Sequence, residues 1–157
     1  LPDWKLIIIG DGPEMGNLKS QISRLRQDFG GQANLKSDDQ IMLTGAIPRE
    51  KVLEYLNQAE MFVLNTSFES FSFQVVEAMS LGLSVITTNI GNLSEIIENE
   101  VDGILVEQNN KEQFLNAIKR LDSDKNFRDG ISQKAKIKSK RFSIENTVNE
   151  LVKLLSR

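Results

Sequence analysis

Short apolar runs alternate with amphipathic stretches along most of the chain. Lys5 to Ile9 is a nearly continuous apolar run, broken by Gly10-Asp11-Gly12-Pro13. This predicts a strand buried on both faces and then a tight turn. Glu14 to Phe29 carries Leu18, Ile22, Leu25 and Phe29 at helical spacing. Gly30 to Asp39 is polar and reads as a loop. Gln40 to Leu43 predicts a short strand, Thr44 to Pro48 a turn, and Arg49 to Gln58 a helix with Val52, Tyr55 and Leu56 inward. Met61 to Leu64 predicts a strand, Ser72 to Leu81 a helix, Ser84 to Thr87 a strand and Leu93 to Glu98 one or two helical turns. Gly103 to Val106 predicts the last strand. The remainder is helical: Lys111 to Leu121 with Phe114, Leu115, Ile118 and Leu121 on one face, then Asn126 to Arg141 and Ile144 to Leu155, with Ser143 at an N-cap position. Strands alternating with helices imply an α/β fold with a Rossmann-like, doubly wound parallel sheet. Ligands bind such sheets at the C-terminal ends of the strands, where the loops at Gly10, Thr44, Asn65 and Thr88 are expected.

Length and composition narrow the chemistry. A chain of 157 residues predicts one domain with a real core. The net charge of −3 disfavours nucleic acid as a partner. With no cysteine and no histidine, disulfides, thiolate and imidazole metal sites and His-activated nucleophiles are excluded from these residues. Chemistry must then rest on carboxylates, hydroxyls, backbone amides, Lys and Arg. No apolar run approaches the roughly 20 residues of a membrane span, and a cytoplasmic location is expected. The chain opens directly on a strand, Leu1 to Gly10 (LPDWKLIIIG), which suggests a piece of a longer protein.

The segment from Leu64 to Glu95 carries the candidate chemistry. Glu69 and Glu77 bracket a loop and the start of a helix. Spacing alone is weak, since Glu is common enough for about one such pair to arise by chance. The plain reading is one loop carboxylate and one helix-surface carboxylate. Glu77, however, lies among Val75, Val76, Ala78 and Met79 in the most apolar helix, where a carboxylate is costly unless it is paired or holds a ligand. Two ribose hydroxyls match its two oxygens. Between the acids lie Ser70-Phe71-Ser72-Phe73-Gln74. If the helix begins near Ser72, the amides of Phe73 and Gln74 are first-turn donors that suit a diphosphate. Ser70 or Ser72 can cap the helix at the same time, and the Phe71 and Phe73 rings read as packing residues. Gly10 and Gly12 only partly match a dinucleotide fingerprint, because Met15 stands where its third glycine belongs. They read as a tight backbone turn near a ligand. The turn at Ala46 and Ile47 falls on the same expected edge. Asp122-Ser123-Asp124 has the form of a metal-binding D-x-D but sits between two helices, where capping explains it better, so no metal is expected. Lys134 to Arg141 holds five cations, read as a solvated helix face with peripheral membrane contact as the minority alternative.

Taken together, IIIGDGPE, LTGAIPREKVLEYLNQAEMFVLNT, ESFSFQVVEAMSLGLSVITTNIGNLSEII, DGILV and RFSIENTVNEL resemble the C-terminal half of a retaining glycosyltransferase of the glycogen-synthase-like, family-4 group, which has the two-domain GT-B fold. The resemblance spans nearly the whole chain. It implies that residues 1–157 are the nucleotide-sugar-binding domain and that the N-terminal acceptor domain lies outside them. The family's E-x7-E motif maps onto Glu69 and Glu77. The resemblance then implies that Glu77 holds the nucleotide ribose and that Glu69, the catalytic carboxylate, orients the donor sugar. Amides from Ser70 and Phe71 to Gln74 would bind sugar and diphosphate, and the Ala46–Ile47 turn would receive the base. One departure is Ser72, where the family commonly has Gly. A second is that the family's diphosphate-neutralising Arg and Lys would lie upstream of Lys5.

The implied partners are a nucleoside-diphosphate sugar, a glycan or lipid-linked acceptor and the protein's own N-terminal domain. No cofactor is implied. Rival readings are a sugar-nucleotide epimerase of the same fold, a non-catalytic binding module and, less favoured, a nicotinamide dehydrogenase.

Overall fold

The computed structural model describes residues 4–29 and 40–156. The predicted loop from Gly30 to Asp39 and the Phe29 side chain lie outside what it describes. The chain divides into two compact units, Leu1–Tyr55 and Leu56–Arg157.

In the first unit, β1 (Leu6–Ile9) pairs in parallel with β2 (Ile41–Gly45), and α1 (Met15–Phe29) connects them. The ladder slips between Ile8 and Ile9, and Gly10 donates its N–H to the Gly45 carbonyl at 3.0 Å. β1 is not buried on both faces as its composition predicts. Leu6 is 51% exposed, and Ile7, Ile8 and Ile9 are only partly covered. Strand pairing satisfies edges and not faces, and an apolar run reports only what a strand prefers, not what packs over its faces. The predicted turn also starts late: Thr44 and Gly45 still belong to β2, and the chain leaves the strand at Ala46. α2 (Arg49–Gln58) begins and ends where the sequence places it.

The second unit is built on β3 (Met61–Leu64), β4 (Ser84–Thr88) and β5 (Ile104–Val106), in the order β3-β4-β5 and parallel throughout. All five residues of β4 are buried, as befits the central strand. α3 (Phe73–Leu81) joins β3 to β4, and the short α4 (Leu93–Ile96) precedes β5. α5 (Lys111–Ser123) and α6 (Lys125–Ser139) pack on β4 and on each other, and α6 also lies along α3. Ile86, Ile104, Val106, Ala117, Leu121 and Ile131 form the core. Each large aliphatic side chain buried there contributes about 1.5–3 kcal/mol. The buried stripe of α5 uses Ala117 where Leu115 was expected, and Leu115 is exposed.

A short 3-10 turn (Lys140–Phe142) leads to α7 (Ile144–Leu155), capped by Ser143, whose Oγ accepts from the Asn146 N–H. Asp124 likewise caps α6 by accepting from the Phe127 N–H at 2.9 Å, so the D-x-D serves as a helix start. The cationic run is not wholly solvated. Lys138 turns inward to Asp102 at 2.8 Å, and Asp102 also accepts from the Glu98 N–H. Lys134, Lys136, Lys140 and Arg141 remain exposed. No helix among the described residues is long and apolar enough to cross a membrane.

Candidate functional site

The parallel ladder between β3 and β4 ends at Leu64 and Thr87. Beyond it the chain runs through a loop to α3, and both acids of interest lie on this strand–loop–helix unit. Ser72 is the N-cap of α3. It is buried, sits in extended conformation and accepts the Val75 N–H on its Oγ at 3.4 Å. Its carbonyl accepts from Val76. Of the two candidate serines, Ser72 is thus the cap, while Ser70 is exposed.

With Val75 and Val76 satisfied, the N–H groups of Phe73 and Gln74 donate to no acceptor among the described residues. They are bare first-turn amides at the positive end of the helix, the arrangement that favours an anion.

Glu69 is partly buried, and its carboxylate takes no hydrogen bond or ion pair from the described residues. Glu77 is also only partly buried. It lies one turn into α3, between the buried Val75 and the buried Ala78 and Met79. The helix is apolar overall, yet Glu77 sits at the margin of its buried face.

The aromatic rings differ from expectation. Phe73 is 78% exposed and Phe71 is 36% exposed. Phe71 stands edge-on to Phe73 with centroids 5.1 Å apart and to Phe142 at 5.9 Å. They form a surface aromatic group, not core packing. Phe73 is the first residue of α3 and Phe71 precedes its cap, so neither falls on the buried stripe of Val75, Ala78 and Met79.

The loop is held by elements the sequence reading did not single out. Thr88, at the end of β4, both donates to the Thr66 carbonyl at 2.6 Å and accepts from the Thr66 N–H at 3.2 Å. Thr66 in turn bonds both backbone groups of Phe68. Gly91 has φ +51°, and a Cβ built on it would lie 1.9 Å from the Glu69 carbonyl oxygen. Two threonines and a glycine at the expected ligand edge were the available signal.

In the first unit, Gly10 has φ +134°, a conformation suited to glycine, which bears out the tight turn. Gly12 has no such backbone, and nothing lies within 4 Å of a Cβ added there, so it is not needed for the turn itself. Ala46 is exposed and Ile47 partly buried, just past β2. No group of three or more acidic residues poised to hold a metal occurs among the described residues.

A recess of about 250 Å³ is lined by Glu60, Ser84, Lys125, Arg128 and Asp129 at the opposite, N-terminal ends of β3 and β4. Its charges are matched internally: Arg128 with Glu60 at 3.1 Å and Lys125 with Asp129 at 2.6 Å. A recess whose ions already pair has no group left to recognise a charged ligand.

The second unit is thus a parallel α/β unit whose strand–loop–helix segment carries a capped helix, two first-turn amides with no acceptor among the described residues, one loop carboxylate and one helix carboxylate. The family model of glycosyl transferases group 1 matches residues 1–138, and the chain belongs to that family. It is 31% identical over 125 residues to the UDP-Gal:alpha-D-GlcNAc-diphosphoundecaprenol alpha-1,3-galactosyltransferase of Escherichia coli, covering 80% of this chain and 30% of that protein. It is 28% identical over 139 residues to the phosphatidylinositol N-acetylglucosaminyltransferase GPI3 subunit of Saccharomyces cerevisiae, covering 83% of this chain and 28% of that protein. Among solved structures, the C-terminal domain of a glycosyl transferase group 1 family protein (LpcC) from Francisella tularensis superposes with TM-score 0.77 at 26% identity, covering 91% of this chain and 72% of that one. Anabaena Alr3699/HepE, solved with UDP-glucose, shares the fold with TM-score 0.77 at 20% identity, over 99% of this chain and 42% of that one. The α/β fold with parallel sheets is that of GT-B C-terminal domains. The chain spans between 28% and 39% of the length of the curated relatives it matches first.

Proposed function

We propose that this chain is the donor-binding domain of a retaining glycosyltransferase. It would take a nucleoside-diphosphate sugar, with a uridine nucleotide as the first candidate, and act on a glycan or lipid-linked acceptor held by an N-terminal domain. The observation that carries the reading is the pair of unsatisfied amides at Phe73 and Gln74, set between Glu69 and Glu77 on one strand–loop–helix unit. Family membership and the UDP-glucose complex of a protein sharing the fold add support. So do relatives whose names specify a diphosphoundecaprenol or phosphatidylinositol acceptor.

In this reading the amides and helix N-terminus hold the diphosphate as it leaves, where fixed dipoles stabilise developing charge without reorganisation. Glu77 accepts two hydrogen bonds from the ribose, and Glu69 orients the sugar. The departing diphosphate takes the acceptor's proton, so a chain without histidine needs no separate base. The reaction requires no metal and keeps the anomeric configuration. Gly10 and Gly12 would let the backbone turn tightly near a ligand, and by the family resemblance the Ala46–Ile47 turn would receive the base. The domain alone would bind donor weakly and not turn it over, and the enzyme would work at the cytoplasmic side, at the membrane if its acceptor is lipid-linked.

The test is calorimetric titration of the full-length enzyme with UDP and UDP-sugars. Loss of two charge-assisted hydrogen bonds predicts that Glu77→Ala weakens nucleotide binding by at least about 100-fold. Unchanged affinity would reject the assignment. Product anomer analysis by NMR tests retention, and an epimerised sugar formed from donor alone would favour the epimerase.

A further inference from the structure

Resting on the reading of Glu69 as the carboxylate beside the donor sugar, we infer that Thr88 is a positioning residue that fixes Glu69 through the loop backbone, with Gly91 as its counter-surface. The Glu69 carboxylate has no bonding partner among the described residues. Its position therefore comes from its backbone, and the backbone is outside any strand. The β3–β4 ladder has already ended at Leu64 and Thr87, so nothing in the sheet itself directs the chain from Asn65 onward.

Thr88 takes over at that point. Thr88 is buried, and its one hydroxyl serves both backbone groups of Thr66 and so replaces the missing strand neighbour. The Thr66 hydroxyl repeats the device on Phe68, donating to its carbonyl at 2.9 Å and accepting from its N–H at 3.3 Å. Glu69 is the next residue, and its carbonyl rests against Gly91, where no side chain fits. The Gly91 turn is itself anchored to the sheet, because Asn89 donates to the Val106 carbonyl at 2.7 Å. Thr66, Phe68 and Glu69 are thus each located from β4 or the turn after it.

Thr87 is the matched control. It is equally buried, and its hydroxyl donates to the Leu64 carbonyl at 3.0 Å, inside the strand and not in the loop. The two residues differ in which backbone they hold.

The experiment uses the full-length enzyme and measures kcat, donor KM and melting temperature for T88V, T88S, T87V, T66A and E69Q. A displacement of about 1 Å costs on the order of 100-fold in rate. T88V is therefore expected to lose roughly 10- to 100-fold in kcat, with donor KM within about threefold of wild type. T88S keeps the hydroxyl and should retain kcat within about threefold. T87V should lower the melting temperature with kcat within about twofold. T66A breaks the second link without touching the buried hydroxyl. It should show the same kcat loss as T88V, and it carries the test if T88V does not fold. A folded T88V or T66A with wild-type kcat, or kcat losses in T87V equal to those in T88V, would overturn the inference. If E69Q also keeps wild-type kcat, the reading of Glu69 falls and the inference falls with it. If E69Q is inactive while T88V is normal, only the inference falls.

Discussion

Two strand-to-helix turns in this protein, one in each compact unit, are built differently. The turn after β1 passes through Gly10 and Gly12. It is shaped by one glycine, Gly10, at φ +134°, while the space above Gly12 is open. The turn after β3 is longer and is tied down by threonine hydroxyls, a serine N-cap and the close approach of Gly91. Glycine in the first place makes a path possible. Polar side chains and a glycine in the second place make one path obligatory. A loop that must present a carboxylate at a fixed point needs the second construction. A loop that only lets a ligand approach its backbone needs no more than the first.

Glycine-to-alanine changes break this comparison most strongly. Gly91→Ala puts a Cβ onto the Glu69 carbonyl at a left-handed backbone position. Urea unfolding should show a loss of more than about 2 kcal/mol, because steric overlap and backbone strain add. Gly12→Ala meets neither penalty. It should be neutral or stabilising by up to about 1 kcal/mol, since alanine restricts the unfolded chain. If the donor does approach this backbone, the same variant should bind it more weakly, and unchanged donor affinity would remove Gly12 from the site. Equal destabilisation by the two variants would erase the contrast between the turns.

A smaller effect sharpens it. Ser72→Ala removes the α3 cap and should cost about 1 kcal/mol, whereas Ser72→Gly should cost only a few tenths. Ser72→Gly restores the residue the resembling family commonly carries, so a comparison of donor preference between it and wild type shows whether the Ser72 side chain selects the sugar. Identical preference would confine Ser72 to capping.

Much of this could be read from the sequence because its causes are local. The hydrophobic period placed α2, β3 and α7 at their observed bounds, and Ser72 and Ser143 announced their helices through capping chemistry. What could not be read depends on neighbours distant in the chain. The exposure of Leu6 depends on what packs over its face of β1, and the inward turn of Lys138 depends on Asp102, thirty-six positions earlier in the sequence. The role of Thr88 was hidden for the same reason. A threonine at a strand end is ordinary, and only the fold shows that its hydroxyl grips Thr66. Glu69 and Glu77 were legible as a pair, but spacing could not show that the Phe73 and Gln74 amides between them are unclaimed.

Those amides are the centre of the account. The most direct measurement is a titration of the isotopically labelled full-length enzyme with UDP, followed through its backbone amide NMR signals. The Phe73 and Gln74 signals should move furthest and saturate with the calorimetric affinity, as expected for N–H groups that gain phosphoryl oxygens. Saturable UDP binding that leaves both signals in place would contradict it.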